Sequence, residues 1–468
     1  MSRAAWLSFV GALALGGCAA GPDYVSPTPQ APAQAPFVGA ADPAFTADVP
    51  PGNWWHLFDS PVLDRLVQEA LAANTDLRVA AANLEQARAA LRETRSARLP
   101  STTVSGSGAY GRTSGTVAGV PGPGPEGETY DAGLDVSYQL DLFGGIRRGI
   151  EASRADLGAA QAAYDLARIS VVAETARAYA DACSAGRQLA VARESLRVQE
   201  QTFDLTRRLE EGGRGTGLDT SRAAALLEQT RADVPTFEAE RKAALYRLAV
   251  LTGKPPADFP ADVAQCETPP VIANVLPVGD GAQLLARRPD VRAAERRLAA
   301  ATARVGVATA DLYPKVTLGG SVGSTADSVD GLGSSHGFRF SLGPLISWSF
   351  PNISASRARL AQAKAASEGA LATFDGTWLT ALQESESALA RYAAGRERLT
   401  TLIRAHEQSQ EAARIARLRY QAGAESFQIV LDAERSLAST EALLASSQAT
   451  FSDQTIALFL ALGGGWES

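Results

Sequence analysis

Two stretches of the chain alternate strictly between apolar and polar positions. Leu134, Val136, Tyr138, Leu140 and Leu142 fall on one side of an extended backbone, and Asp135, Ser137, Gln139 and Asp141 on the other. The same period of two returns where Phe338, Phe340, Leu342, Ile346, Trp348 and Phe350 oppose Arg339, Ser341, Ser347 and Ser349. Fainter alternation marks Thr102, Val104 and Tyr110, and again Val316, Leu318 and Val322. The pattern predicts strands over about 101–113, 128–142, 315–324 and 337–350. Elsewhere the period is helical. Ala-rich segments over 145–211 and 353–422 break near Gly212-Gly213 and Gly423, and continue as helices over 218–253 and 427–461. No proline stands between Pro125 and Pro235, or after Pro351, so nothing interrupts the two long helices. The first spans 67 residues, roughly 100 Å at 1.5 Å per residue.

The chain repeats itself. Asn74-Thr75-Asp76-Leu77-Arg78 opens a helical stretch that closes at Leu99-Pro100, and Arg288-Pro289-Asp290-Val291-Arg292 opens another, over about 288–312, that closes at Tyr313-Pro314. Each leads into an alternating stretch, an aromatic turn (Leu142-Phe143-Gly144-Gly145; Ser349-Phe350-Pro351-Asn352) and a long helix. Two copies of one unit therefore follow each other about 210 residues apart. The implied segments are a leader at 1–17, a tether at 18–52, a first repeat at 53–270 and a second at 271–468. The fold class expected from these segments is an α+β membrane protein. Apolar-out, polar-in strands of about ten residues suit a membrane barrel, although a half-buried soluble sheet alternates too. Four strands cannot close a membrane barrel, for which about eight is the smallest number, and an open edge in lipid is forbidden. Several chains must then share one barrel. No apolar run reaches the roughly 18–20 residues of a spanning helix.

Charge and composition narrow the chemistry. Lys+Arg 44 against Asp+Glu 51 gives a net charge of −7, which speaks against a nucleic-acid partner. Three histidines and three cysteines lie far apart, without metal-ligand spacing, and no cofactor or metal is expected. The N-terminus carries an address: Arg3, an apolar stretch from Trp6 to Leu15, then Leu15-Gly16-Gly17-Cys18. That is a bacterial lipoprotein signal, with Cys18 as the lipidated first residue of the mature chain; a plain signal peptide is the alternative. Ala19, rather than Asp, favours the outer membrane over the inner one. The Pro- and Ala-rich segment from Pro22 to Pro51 reads as an extended tether. One phosphate-loop candidate, Gly212-Gly213-Arg214-Gly215-Thr216-Gly217, follows a helix rather than a strand and lacks a Gly-Lys-Ser/Thr ending, so it reads as a helix–helix turn and the chain is not expected to be an enzyme.

Ordered motifs carry a family resemblance. They are Cys18-Ala-Ala-Gly-Pro-Asp-Tyr, Asn53-Trp54-Trp55, Asn74-Thr75-Asp76-Leu77-Arg78, Arg287-Arg288-Pro289-Asp290-Val291-Arg292, Arg417-Leu418-Arg419-Tyr420-Gln421-Ala422-Gly423 and the terminal Gly463-Gly464-Gly465-Trp466. The chain resembles TolC-like outer membrane factors, in their OprM/NodT lipoprotein branch. The resemblance implies a homotrimer whose 12-stranded β-barrel, with four strands per chain, continues into a periplasmic α-helical barrel. It implies the exit duct of a tripartite efflux pump, working with a periplasmic adaptor and an inner-membrane transporter, usually of the resistance-nodulation-division (RND) type. A type I secretion exit remains the alternative. Adaptor contact is implied at the turns Glu210 to Asp219 and Tyr420 to Phe427, with Gly212, Gly213 and Gly423. The family's periplasmic gate maps to Asp432, with an Asp219–Tyr420 hydrogen bond holding the tip closed. Gln428 stands where many relatives have Leu, and Glu425 where relatives can have a basic residue, so an apolar seal and a salt link are both put in question. Asp219 and Asp432 could instead simply favour helix N-terminal turns, Asp219 as an N-cap. Finally, Cys183 and Cys266 remain for an oxidising compartment once Cys18 is lipidated. Their heights along the helices permit a disulfide; two separate thiols are the alternative.

Overall fold

The computed structural model describes residues 19–28, 35–112, 114, 116, 119, 121–124, 126–272, 275–348, 350 and 353–464. Cys18, the leader 1–17 and Trp466 lie outside the described residues. In chain order the elements are β1 (Phe45–Thr46), α1 (Pro61–Ala73), α2 (Thr75–Ser96), β2 (Ser101–Arg112), β3 (Glu126–Leu140), α3 (Gly145–Glu211), α4 (Gly217–Leu251), β4 (Leu276–Pro277), α5 (Gly281–Arg287), α6 (Pro289–Ala310), β5 (Lys315–Ala326), β6 (Phe338–Ser347), α7 (Ile353–Gln421) and α8 (Phe427–Ala461), with short 3-10 turns between them. The order helix, strand, strand, long helix, helix occurs twice. The two long helices have 67 and 69 residues, and the helices that follow them 35 each.

Local chemistry sets the boundaries. Ser60 accepts from the Leu63 amide with Pro61 behind it, an N-cap with proline at the first helical position. Asn74 then turns the chain into α2 by accepting from the amides of Asp76 and Leu77. Strand β3 stops at Leu140 rather than 142, because Asp141 leaves the sheet to accept from the amides of Ile146 and Arg147 and so caps α3. Strand β6 stops at Ser347; Trp348 instead donates its indole N–H to the Leu312 carbonyl and stacks on Phe350. Pro235 sits inside α4, a helix read from sequence as 218–253 and found at Gly217–Leu251.

The chain divides into two compact units. In the unit built from residues 1–27, 83–161 and 293–375, four antiparallel strands pair in the order β2-β3-β5-β6. The register aligns Val104 with Leu134, Leu134 with Val322 and Val322 with Phe340. Even-numbered positions therefore form one apolar face, and it is bare: Leu342 is 87% exposed and Phe340 77%. The opposite face is polar. Arg339 donates to both oxygens of Asp131 at 2.8 Å, Thr325 donates to the same carboxylate, and Ser321 bonds Ser341. Leu345 is the exception on that side. Strands β2 and β6 have a neighbour on one side only among the described residues, and β6 is the strand that carries a proline, Pro344.

The other unit, residues 28–82, 162–292 and 376–468, holds the main apolar core. Trp54 stacks on Phe459 with ring centroids 5.1 Å apart, packed among Leu63, Leu66, Leu248, Leu276, Leu389 and Ile456. The two-residue strands β1 and β4 pair in parallel, Phe45 opposite Leu276. Among the described residues no helix is long and apolar enough to cross a membrane.

Cys183 of α3, fully buried, is joined to Cys266 by a disulfide that ties the loop after α4 back to α3. Closing a loop of 83 residues stabilises the fold by about 4.5 kcal/mol in the chain-entropy view. Denatured, unreduced protein should therefore expose neither Cys183 nor Cys266 to alkylation, and Cys183→Ala with Cys266→Ala should lower the denaturation midpoint markedly. Stoichiometric labelling without reductant would show two free thiols instead.

Candidate functional site

The sequence-derived site residues, apart from Cys18 and the two cysteines, gather at two helix–turn–helix tips. Both tips are built alike. The chain leaves α3 through Gly213 (φ +69°) and α7 through Gly423 (φ +74°), with no side chain near enough to oppose either turn. Arg214 donates to the Leu209 carbonyl and Gly213 to Glu210; Ala424 donates to Arg419 and Gly423 to Tyr420. These paired bonds are the Schellman ending, which satisfies carbonyls left over at a helix C-terminus and needs a left-handed residue. Gly212 precedes the first turn and is likewise exposed.

Asp219 lies in the first turn of α4. Its amide donates to the Thr216 hydroxyl, and that hydroxyl donates to the Asp219 carboxylate at 2.8 Å. Thr216 is thus the N-cap, and Asp219, three residues on, is its reciprocal partner rather than the cap itself. Among the described residues no hydrogen bond joins Asp219 to the Tyr420 hydroxyl. The two interact through charge: burial first, then the Asp219 carboxylate, pushes the Tyr420 phenol upward from its ordinary pKa. The Tyr420 ring packs instead on Phe427, centroids 5.6 Å apart, over an apolar cluster of Ala223, Leu226, Ala416, Val430 and Leu431. Glu425 has a salt link, with Arg419 at 3.0 Å.

Three polar rungs cross between helices here. In the first, Arg222 of α4 donates to Gln428 of α8, and Gln428 donates to Asp432 one turn further on, at 2.9 and 3.0 Å. Gln428 thus forms a polar relay at the position where an apolar seal was in question, and both Gln428 and Asp432 are exposed. In the second, Arg417 of α7 forms a short ion pair with Glu434 of α8, and Gln199 of α3 donates to the same carboxylate. Glu434 is only 2% exposed. In the third, Ser195 of α3 donates to Glu441, which also faces His406 of α7 at 3.6 Å. A cavity of about 390 Å³ opens between the last two rungs, lined by Glu434, Glu441, Glu407 and Arg414 among others.

Sequence reading missed Arg222, Glu434 and Gln199. Glu434 had a signal: it interrupts the apolar stripe Phe427, Val430, Leu431 and Leu437 on one face of α8. Among the described residues, no group of His, Cys, Asp and Glu has the arrangement of a metal site. The tips hold polar links between helices.

Comparison with known proteins places these features in context. The profile of the outer membrane efflux protein family matches residues 66–254 and 281–464, one match per repeat. Nodulation protein T of Rhizobium leguminosarum bv. trifolii is 30% identical over 460 residues, covering 97% of this chain and 96% of that protein. The probable efflux pump outer membrane protein TtgC of Pseudomonas putida is 32% identical, covering 98% and 94% respectively. Among solved structures, the outer-membrane channel OprN superposes with a TM-score of 0.90 at 40% identity, over 96% of this chain and all of the other.

Proposed function

The chain belongs to the outer membrane efflux protein family, and on that premise we propose that it is the outer-membrane exit duct of an RND-type tripartite efflux pump. The observation that carries the reading is the four-stranded sheet, apolar and bare on one face, polar on the other, and open at both edges among the described residues of one chain. Three copies side by side would pair β6 of one with β2 of the next and close twelve strands, removing every edge from lipid. The polar face, with Arg339 and Asp131, would then line the water-filled lumen. The long helix pairs α3–α4 and α7–α8 of three copies would form the periplasmic barrel. The type I secretion alternative gains nothing from the relatives and is not carried forward.

Cys18 is the lipidation site in this reading, giving the chain a second hold on the outer membrane besides its strands. The tips at Gly212, Gly213 and Gly423 receive the periplasmic adaptor, and the rungs above them form the gate, with one Asp432 from each copy near the axis. The support is that both turns are exposed and glycine-bearing, with open space where a side chain at Gly213 or Gly423 would begin. Gly213→Asp combined with Gly423→Asp, in the strain that encodes the cognate pump, should abolish drug efflux while the trimer still assembles in the outer membrane. Undiminished efflux in that variant would place the adaptor elsewhere.

A further inference from the structure

The polar face of the sheet carries a positive charge that is pinned down. Arg339 stands second in β6, just after the chain has turned back from β5. The register sets it in one cross-strand row with Gly323 of β5, Gly133 of β3 and Ser105 of β2. Two successive glycines leave that row without side chains, and the arginine lies along it. A Cβ on Gly323 would sit 3.1 Å from the guanidinium carbon, and one on Gly133 3.5 Å from a terminal nitrogen. Laid flat in this trough, Arg339 crosses β5, and a terminal nitrogen donates to both oxygens of Asp131 on β3, each at 2.8 Å. Thr325 of β5 completes the clasp. Its hydroxyl accepts from Arg339 Nε at 3.3 Å and donates to Asp131 at 2.7 Å.

The same face carries Asp135, further along β3 and opposite Ser321. Two carboxylates thus stand near one guanidinium, and Asp131 cancels it. We propose that Arg339, held down by Asp131, is a specificity-determining residue for what leaves the duct, and that Asp131 is the residue that positions it. The proposal rests on the reading of the polar face as the lumen wall. Pinned along the glycine row, the guanidinium neither narrows the bore nor opposes solutes that carry positive charge. Released, it would stand up into the lumen from each of three copies, and unpaired cations lining a pore repel cations and draw anions. The side chains of Arg339 and Asp131 are 47% and 30% exposed, so the pair adds little to stability. What it fixes is the place of a charge.

The test uses Ser341→Cys in the full-length protein, assembled in the outer membrane of intact cells. Position 341 lies two residues past Arg339 on the same face, so reagents entering from outside pass the clasp before they reach it. The probes are two methanethiosulfonates, one bearing a sulfonate and one a trimethylammonium group. Labelling of the parent protein, without the new cysteine, is subtracted. Adding Asp131→Asn should raise the ratio of anionic to cationic labelling rates about fivefold or more. Arg339→Gln should lower that ratio, and the two changes together should return it close to its starting value. Asp135→Asn should shift it less than Asp131→Asn does, because it removes a carboxylate without freeing the arginine. A ratio unchanged by Asp131→Asn, or moved equally by Asp135→Asn, overturns the proposal. Failure of both reagents to label Ser341→Cys in assembled trimers would instead remove the lumen reading, and the proposal with it.

Discussion

Leu342→Arg should abolish stable insertion into the outer membrane, whereas Ser341→Arg, one residue away, should insert and assemble. The two positions lie mid-strand in β6 on opposite faces of the sheet. Leu342 is 87% exposed and stands in register with Gly320 and, beyond it, Val136; Ser341 pairs with Ser321 through its hydroxyl on the polar side. An arginine facing lipid near mid-bilayer costs about 2–4 kcal/mol per copy, and a trimer would bear that cost three times. On the lumen side the same charge stays in water. The readout is the heat-modifiable trimer in the outer-membrane fraction. Equal tolerance of both substitutions, or the reverse order, would mean that the apolar face does not meet lipid.

Arg417→Ala should open the tip and raise single-channel conductance more than any other single change there. It leaves the buried Glu434 carboxylate with Gln199 as its remaining partner, and breaking a buried pair from one side costs about 3–5 kcal/mol. Arg417→Ala combined with Glu434→Gln should recover much of the stability, because the orphaned charge is gone; that recovery separates a link from general damage to packing. The first rung is exposed, so solvent screens it. Arg222→Ala or Asp432→Ala should release about 0.5 kcal/mol per copy, which over three copies shifts an opening equilibrium about tenfold. Asp432→Ala should also weaken cation preference, since three carboxylates near one axis favour cations. Tyr420→Phe should leave conductance nearly unchanged, because the Tyr420 hydroxyl has no hydrogen bond to Asp219 to lose. A large effect of Tyr420→Phe, with none from Arg417→Ala, would put the latch elsewhere.

The elements most legible in the sequence are those that repeat one physical signal many times. Strands β3 and β6 alternate over several residues, so that one of their two faces is apolar along its length. The long helices are legible because proline is missing over 109 consecutive positions, between Pro125 and Pro235. The boundaries were set by single side chains that no periodicity announces, such as Asp141 leaving β3 to cap α3. The β1–β4 pair joins residues far apart in sequence through two positions each, too short for any pattern. At the tips, the glycine turns and Asp432 were visible through family motifs. The rungs were not, because Arg222, Gln199 and Ser195 are ordinary polar residues on helices and acquire meaning only from what faces them. Asp219 shows the same limit: its acidic character was plain, but its hydrogen-bond partner is Thr216, three residues away, and Tyr420 meets it through charge alone.

The most direct test of the central claim is the conductance of the purified, lipidated protein in a planar bilayer. The account predicts small, discrete, cation-preferring steps from trimers, a resting duct nearly closed by its polar rungs, with steps enlarged severalfold by Arg417→Ala. Assembled trimers that insert into the bilayer yet pass no current, either unmodified or with Arg417→Ala, would contradict it.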